Sequence, residues 1–232
     1  MNENKCAALL LGPPGSGKTS LARSLATRYR ISVIEIGNLF EKEIQLGTQL
    51  GRRIKPYKSA GKLIPSDLVE QAICSELERV QENLVVFDGF PRSTSQIETL
   101  FQLLKDKHLD LCAVFVLTAD IQTVITRLSG RRICPNCGAI YNIHTKPPRH
   151  DGVCDRCGGS LIQRQDDRME AIRERFKIYE RDTIPVIEFF KREFGHLTWE
   201  ESATLSPDQL ADRVWQRLEQ GMDLLASAHR RN

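Results

Sequence analysis

The 232-residue sequence predicts an α/β fold: a parallel, doubly wound sheet flanked by helices, with one small metal-binding insertion. Three observations carry that expectation. Short apolar runs without alternation recur between amphipathic stretches. A glycine-rich turn joins the first run to the first helical pattern. Four cysteines pair into two CxxC knuckles inside a segment that lacks a helical period.

Residues 6–11, CAALLL, are continuously apolar, as a strand covered on both faces should be. They meet GPPGSGKT, residues 12–19, and then Leu21, Ala22, Leu25 and Ala26 at helical spacing. Residues 84–88 (LVVFD) and 111–117 (LCAVFVL) repeat the strand pattern, with weaker candidates at 31–36 and 196–199. Helical patterns over 66–80 and 93–107 separate these runs, so strands and helices alternate. Residues 132–163 are rich in Cys, Gly, Pro and Asn and read as an inserted module. A long helical stretch follows, which Pro185 is expected to kink or divide. Ser206, Pro207 and Gln209 form a helix-start signature for a last helix reaching about residue 225, with 228–232 expected as a frayed tail.

Hydrophobic residues at 41% and charged ones at 27% are ordinary for a globular chain, and a net charge of +3 is too small to imply a nucleic-acid partner. No stretch approaches the roughly 18 apolar residues of a membrane span, and no export pattern opens the chain, so a cytoplasmic protein is expected. Cys6, Cys74 and Cys112 sit singly in apolar surroundings and read as small buried residues.

Gly12, Pro13, Pro14, Gly15, Ser16, Gly17, Lys18 and Thr19 match GxxxxGK[ST] between an expected strand and an expected helix, which specifies a P-loop NTPase fold. The glycines let backbone N–H groups converge on phosphate oxygens that a Cβ would obstruct, and the helix start adds partial positive charge. Lys18 then supplies a mobile point charge to the β and γ phosphates. Thr19 or Ser20 offers a hydroxyl toward a magnesium shell. The loop implies a nucleoside triphosphate, not which chemistry is done with it.

Cys134, Cys137, Cys154 and Cys157 form two knuckles, each followed by glycine, with spacing that suits a four-thiolate zinc site. With no open ligand position the metal should be structural, supplying folding energy that a module of about 30 residues cannot obtain from its own core. A redox CxxC and a nucleic-acid-binding zinc ribbon are the rivals. From residue 131 to 164 the bases are Arg131, Arg132, Lys146, Arg149, Arg156 and Arg164, against Asp151 and Asp155. Four thiolates and one Zn²⁺ carry about −2, leaving about +2, modest for a nucleic-acid grip.

Asp88-Gly89-Phe90-Pro91-Arg92 follows the strand LVVFD, where a carboxylate at a strand's carboxyl end suits a magnesium shell and Arg92 can fork onto a phosphate. Alone, the same residues describe a capped turn. Joined to GPPGSGKT, SAGKLIPSDLV (59–69), DGFPRSTSQ (88–96), TRLSGRRICPNCG (126–138), GVCDRCGG (152–159) and RQDDRMEAIRERF (164–176), they make the chain resemble the adenylate kinase family in its long-lid, zinc-bearing form.

That resemblance implies a five-stranded parallel core (residues 1–35, 66–130 and 165–232), a monophosphate-binding segment (36–65) and a zinc-binding lid (131–164). It implies reversible transfer of the ATP γ-phosphoryl to AMP, with Mg²⁺ accompanying ATP, by a monomer of nucleotide metabolism. Lys18 would hold the transferred phosphate, while Arg127 and Arg131 would contact the ATP side. Arg92, Arg164 and Arg175 would hold the acceptor phosphate and the phosphoryl in flight. Gln96 would hydrogen-bond the acceptor adenine, Asp88 would position Mg²⁺ through water, and Asp166 and Asp167 would anchor arginines when the lid shuts. Lys62, Ile64 and Gly89 would also line the acceptor site.

Two positions depart from the family in that acceptor site. Where a threonine usually precedes the glycine of this segment stands Ile36, and where an arginine usually follows stands Glu41. The second change shifts local charge by two units, each worth ~1–4 kcal/mol at 4 Å for dielectrics between water and a protein surface. Lys42, Arg52, Arg53 or Lys55 are candidates to compensate. The departures keep two other readings open: the same chemistry with another acceptor monophosphate, or a weakly active nucleotide-binding regulator.

Overall fold

The computed structural model describes residues 5–60 and 62–229. Five parallel strands form one sheet in the order β2-β3-β1-β4-β7: β1 (Cys6–Leu11), β2 (Ser32–Glu35), β3 (Leu84–Asp88), β4 (Asp110–Thr118) and β7 (Thr198–Ser202). β1 lies at the centre, so the turn after it opens at the carboxyl edge between β3 and β4. The unbroken apolarity of β1 has a simple cause, since its residues alternate between two cores. Ala7, Leu9 and Leu11 face a cluster with Phe87, Phe90 and Phe190, while Cys6, Ala8 and Leu10 face one with Leu21, Phe115 and Val214.

Between the strands run α1 (Lys18–Arg28), α2 (Ile36–Gln45), α3 (Gln49–Ser59), α4 (Ser66–Leu77), α5 (Ser95–Asp106) and α6 (Ile121–Ser129). After the insertion come α7 (Met169–Ile178), α8 (Ile184–Glu193) and α9 (Pro207–His229). The division expected at Pro185 is present: a π-helical turn, Tyr179–Thr183, precedes α8, and the proline sits in the first turn of that helix, where its missing N–H is harmless. The start of α9 carries the expected reciprocal cap. Gln209 N donates to Ser206 Oγ, and Ser206 N donates to Gln209 Oε1, both at 3.3 Å.

Three sequence expectations need correction. The weak strand at 31–36 is shorter, and Ile36 instead opens α2. α9 continues past 225 to His229, into the stretch expected as a tail; residues 230–232 lie outside the described residues. Cys6 and Cys112 are buried, whereas Cys74 is only half-buried. No described helix is long and apolar enough to cross a membrane.

The segment 36–65 was legible only as a segment. It is a helical hairpin: Gly47 turns the chain with φ 62°, and Thr48 caps α3 by accepting from Gly51 N at 2.9 Å. Gly51 lets the two helices touch, since a Cβ there would lie 2.0 Å from Glu43 O. The insertion folds on an antiparallel pair, β5 (Arg131–Ile133) and β6 (Ile140–Asn142), around a small cluster of Cys134, Tyr141 and Cys154.

Candidate active site

The glycine-rich turn wraps around the end of its own lysine. Gly12 has φ 136°, and a Cβ there would stand 2.3 Å from Leu117 O, so both conformation and space require glycine. Lys18 Nζ donates to Gly12 O (2.8 Å), Pro13 O (2.7 Å) and Ser16 Oγ (3.1 Å). Burial of that ammonium lowers its pKa from 10.5 to about 7; Asp88 opposes the shift, and Arg92, Arg175 and Arg131 reinforce it. Gly15 and Gly17, both at positive φ, complete the loop, and Ser20 lies half-buried on the first turn of α1.

Asp88 ends β3 beside β1 and is 6% exposed. Its Oδ2 accepts from Thr19 Oγ1 at 2.5 Å. Burial raises the carboxyl's pKa, against the pull of Lys18, Thr19 and Arg92. Two hard oxygen groups therefore sit together next to Lys18, a donor set that fits Mg²⁺.

The DGFPR turn, with a cis Phe90–Pro91 peptide, folds back on itself. Arg92 Nε donates to Gly89 O at 2.7 Å, and Arg92 N donates to Gln96 Oε1 at 2.8 Å. Thr183 Oγ1, from the π-helical turn, donates to Arg92 O at 2.9 Å, so the irregular turn ahead of α8 fixes the arginine's backbone. Gln96 Nε2 reaches Ile64 O at 3.4 Å, which joins these two candidate base-contacting residues. Burial lowers the Arg92 pKa, opposed by Asp88 and Asp166.

The remaining arginines arrive from the far side. Arg127 on α6 donates to Ser16 O at 3.4 Å and to Ala203 O, placing it against the phosphate loop. Arg131, at the root of the insertion, makes a fork onto Asp167 at 2.7 and 2.6 Å. Arg175 on α7 meets Asp167 Oδ1 at 3.4 Å and Asp166 Oδ2 at 3.2 Å. Asp167 is only 1% exposed, so its charge is balanced by two guanidinium groups. Burial pulls the Asp166 pKa up, but Arg175, Arg164, Arg131 and Lys58 more than offset it and hold the carboxyl below its usual range. Arg164 is half-buried at the insertion's return to the core.

On the hairpin, Ile36 is 3% exposed and belongs to the core with Leu39 and Phe40, so its side chain presents no polar group. Glu41 is ion-paired with Lys58 of α3. Lys42 turns to Glu76 (3.8 Å) and Arg53 to Asp67 (3.0 Å), both on α4, so neither compensates Glu41 directly. Lys62 is exposed.

The four cysteine sulfurs lie within 4.8 Å of one another, with Cys134 to Cys157 at 3.4 Å and Cys137 to Cys154 at 3.5 Å. A tetrahedral thiolate site with bonds of about 2.3 Å has edges of about 3.8 Å, so these positions fit zinc. Sequence reading missed how the insertion is tied down. Arg23 of α1 forks onto Glu35 (2.6 and 2.9 Å) and donates to Gly138 O, just after the first knuckle, at 2.7 Å. No local signal marks a contact between residues 115 apart.

The family model described as adenylate kinase matches residues 10–194. The adenylate kinase of Thermococcus kodakarensis is 38% identical over 219 residues, covering 94% of this chain and 95% of that protein. The adenylate kinase of Pyrococcus furiosus is 37% identical, covering 94% and 96%. That of Thermoanaerobacter pseudethanolicus is 40% identical over 185 residues, covering 79% and 85%.

Proposed function

The chain belongs to the adenylate kinase family, and on that premise we propose how its own side chains carry the reaction. The reaction is the reversible transfer ATP + AMP = 2 ADP. The observation that carries the reading is the convergence on one spot of Lys18, Arg92, Arg131 and Arg175, side chains that are far apart in the sequence.

No general base is required, because an acceptor phosphate is already ionised near neutral pH and its oxygen attacks directly. What remains is to align two anions and to neutralise the charge of a loose phosphoryl transition state. Lys18 exchanges the loop carbonyls for β- and γ-phosphate oxygens, and Arg127 and Arg131 hold the ATP side. Arg92, Arg164 and Arg175 hold the acceptor phosphate and the phosphoryl in transit. Gln96, with Ile64 and Gly89, presents the edge of the acceptor-base pocket. Asp88, through water, and the hydroxyl of Thr19 or Ser20 would hold Mg²⁺, which would supply charge neutralisation to the phosphates. Zinc in the four-cysteine cluster is structural. Residues 131–164 act as a lid over a core of 1–35, 66–130 and 165–232, excluding water that would turn transfer into hydrolysis, while 36–65 binds the monophosphate. The enzyme acts as a cytoplasmic monomer on small nucleotides.

Initial rates with ATP and AMP, CMP, UMP or GMP test this reading. The highest kcat/KM is expected with AMP; a preference for another base would move Ile36 and Glu41 from tolerated departures to determinants of specificity. Lys18 supplies a second expectation. Its pKa near 7 in the free protein rises when polyphosphate surrounds it, so the affinity it contributes is fully present below about pH 7. It is lost as pH rises above that value, by about tenfold per unit until the bound-state pKa is passed. Calorimetry of ATP binding at pH 8 in buffers of different ionisation enthalpy should register uptake of close to one proton. No uptake would mean that Lys18 is already charged before binding.

A further inference from the structure

We propose that Lys58 binds the acceptor's phosphate, and that Glu41 is its resting partner, displaced when the monophosphate arrives. The proposal rests on the kinase reading above and names the hairpin's cation in that site.

Lys58 stands in the last turn of α3, paired across the hairpin with Glu41 of α2, about two turns along α3 from the close helix contact at Gly51. Other paired cations of the hairpin face away: Lys42 and Arg53 bond to carboxylates of α4. Beyond Glu41, the charges that Lys58 feels most are Arg164 and Asp166, on the stretch where the lid returns to the core. Asp166 in turn touches Arg175, which belongs to the group around Lys18. Lys58 thus lies within electrostatic reach of the charged groups that lead, through Asp166 and Arg175, to the cluster around Lys18.

The side chains of Lys58 and Glu41 are 27% and 38% exposed, open enough for a ligand to reach and enclosed enough to be partly stripped of water. A phosphate dianion offers a lysine twice the charge of a carboxylate and more acceptor oxygens, so it replaces Glu41 as the partner. A purely structural ion pair at this exposure contributes little to stability, and its two halves would be equivalent under substitution. The proposed roles are opposite in sign.

That opposition is the test. Initial rates are measured for the wild type, Lys58→Met and Glu41→Gln, using whichever of AMP, CMP, UMP and GMP has the highest kcat/KM, with melting temperatures alongside. Lys58→Met is expected to raise KM for the monophosphate about tenfold or more, with KM for ATP within about twofold. Glu41→Gln is expected to lower the monophosphate KM about threefold by freeing the ammonium. Shifts of KM in the same direction, or none, would overturn the proposal. Should Lys58→Met fail to fold, Glu41→Gln still decides, since an unchanged or raised KM there contradicts displacement. A wild type that turns over no monophosphate at all removes the kinase reading and this proposal together, an outcome distinct from an active enzyme indifferent to both substitutions.

Discussion

Replacing Lys18 by methionine is expected to lower kcat for ADP formation by roughly a thousandfold while leaving the melting temperature unchanged or higher. Both halves follow from where the ammonium sits. Its contacts are carbonyls and a hydroxyl of the loop, and the nearby charges are Asp88 and three arginines. In the proposed transition state it is the cation carried by the loop itself, so no neighbouring side chain on that loop would replace it. In the free protein its burial is a cost. The folded pKa, about 7, lies below the ordinary 10.5, so the group disfavours folding wherever the unfolded chain would hold the proton, most fully below about pH 7. Steady-state rates and thermal unfolding of the variant check both. A collapse of stability with the rate loss would mean that Lys18 is structural.

Removing metal from the four-cysteine cluster is expected to disorder the lid and cut kcat by on the order of a hundredfold, with the sheet and its two cores still folded. The lid's own apolar cluster consists of Cys134, Tyr141 and Cys154 with a few half-buried neighbours, far too little to order residues 131–164 unaided. Zinc bound by four thiolates contributes on the order of 10 kcal/mol to the folding of small modules of this kind. Arg131 lies at its root and forks onto Asp167, so loss of the lid also loosens the arginine pair that balances that buried carboxylate. Cys154→Ser should reproduce the chelation effect. Near-native turnover after metal removal, with the lid's amides still protected from exchange, would show that the fold needs no metal.

The parts legible in the sequence are those fixed by local geometry. Residues 6–11 had to be a covered strand because no alternation was present, and glycines at 12, 15 and 17 announced a loop that side chains would block. Two CxxC knuckles announced their own cluster. What stayed hidden depends on which surfaces meet. The second helix of the hairpin carries Pro56 in its interior and buries only Gly51 and Ile54, so its pattern is weak. Lys42, Arg52, Arg53 and Lys55 were reasonable partners for the charge reversed at Glu41, yet Lys58 is the residue across from it, because helix crossing and not sequence proximity sets the pairing. The insertion's contact through Arg23, which Glu35 holds in place, likewise depends on which surfaces pack together.

A crystal structure of the zinc-loaded chain with a bisubstrate inhibitor, two adenosines joined by a polyphosphate, would show whether the site's cations converge on a single phosphate bridge. Lys18, Arg92, Arg127, Arg131, Arg164 and Arg175 are each expected to place a nitrogen within about 3.2 Å of a phosphate oxygen, under a closed lid. Guanidinium groups still turned to Asp166 and Asp167 and away from the inhibitor in that closed state would contradict that convergence.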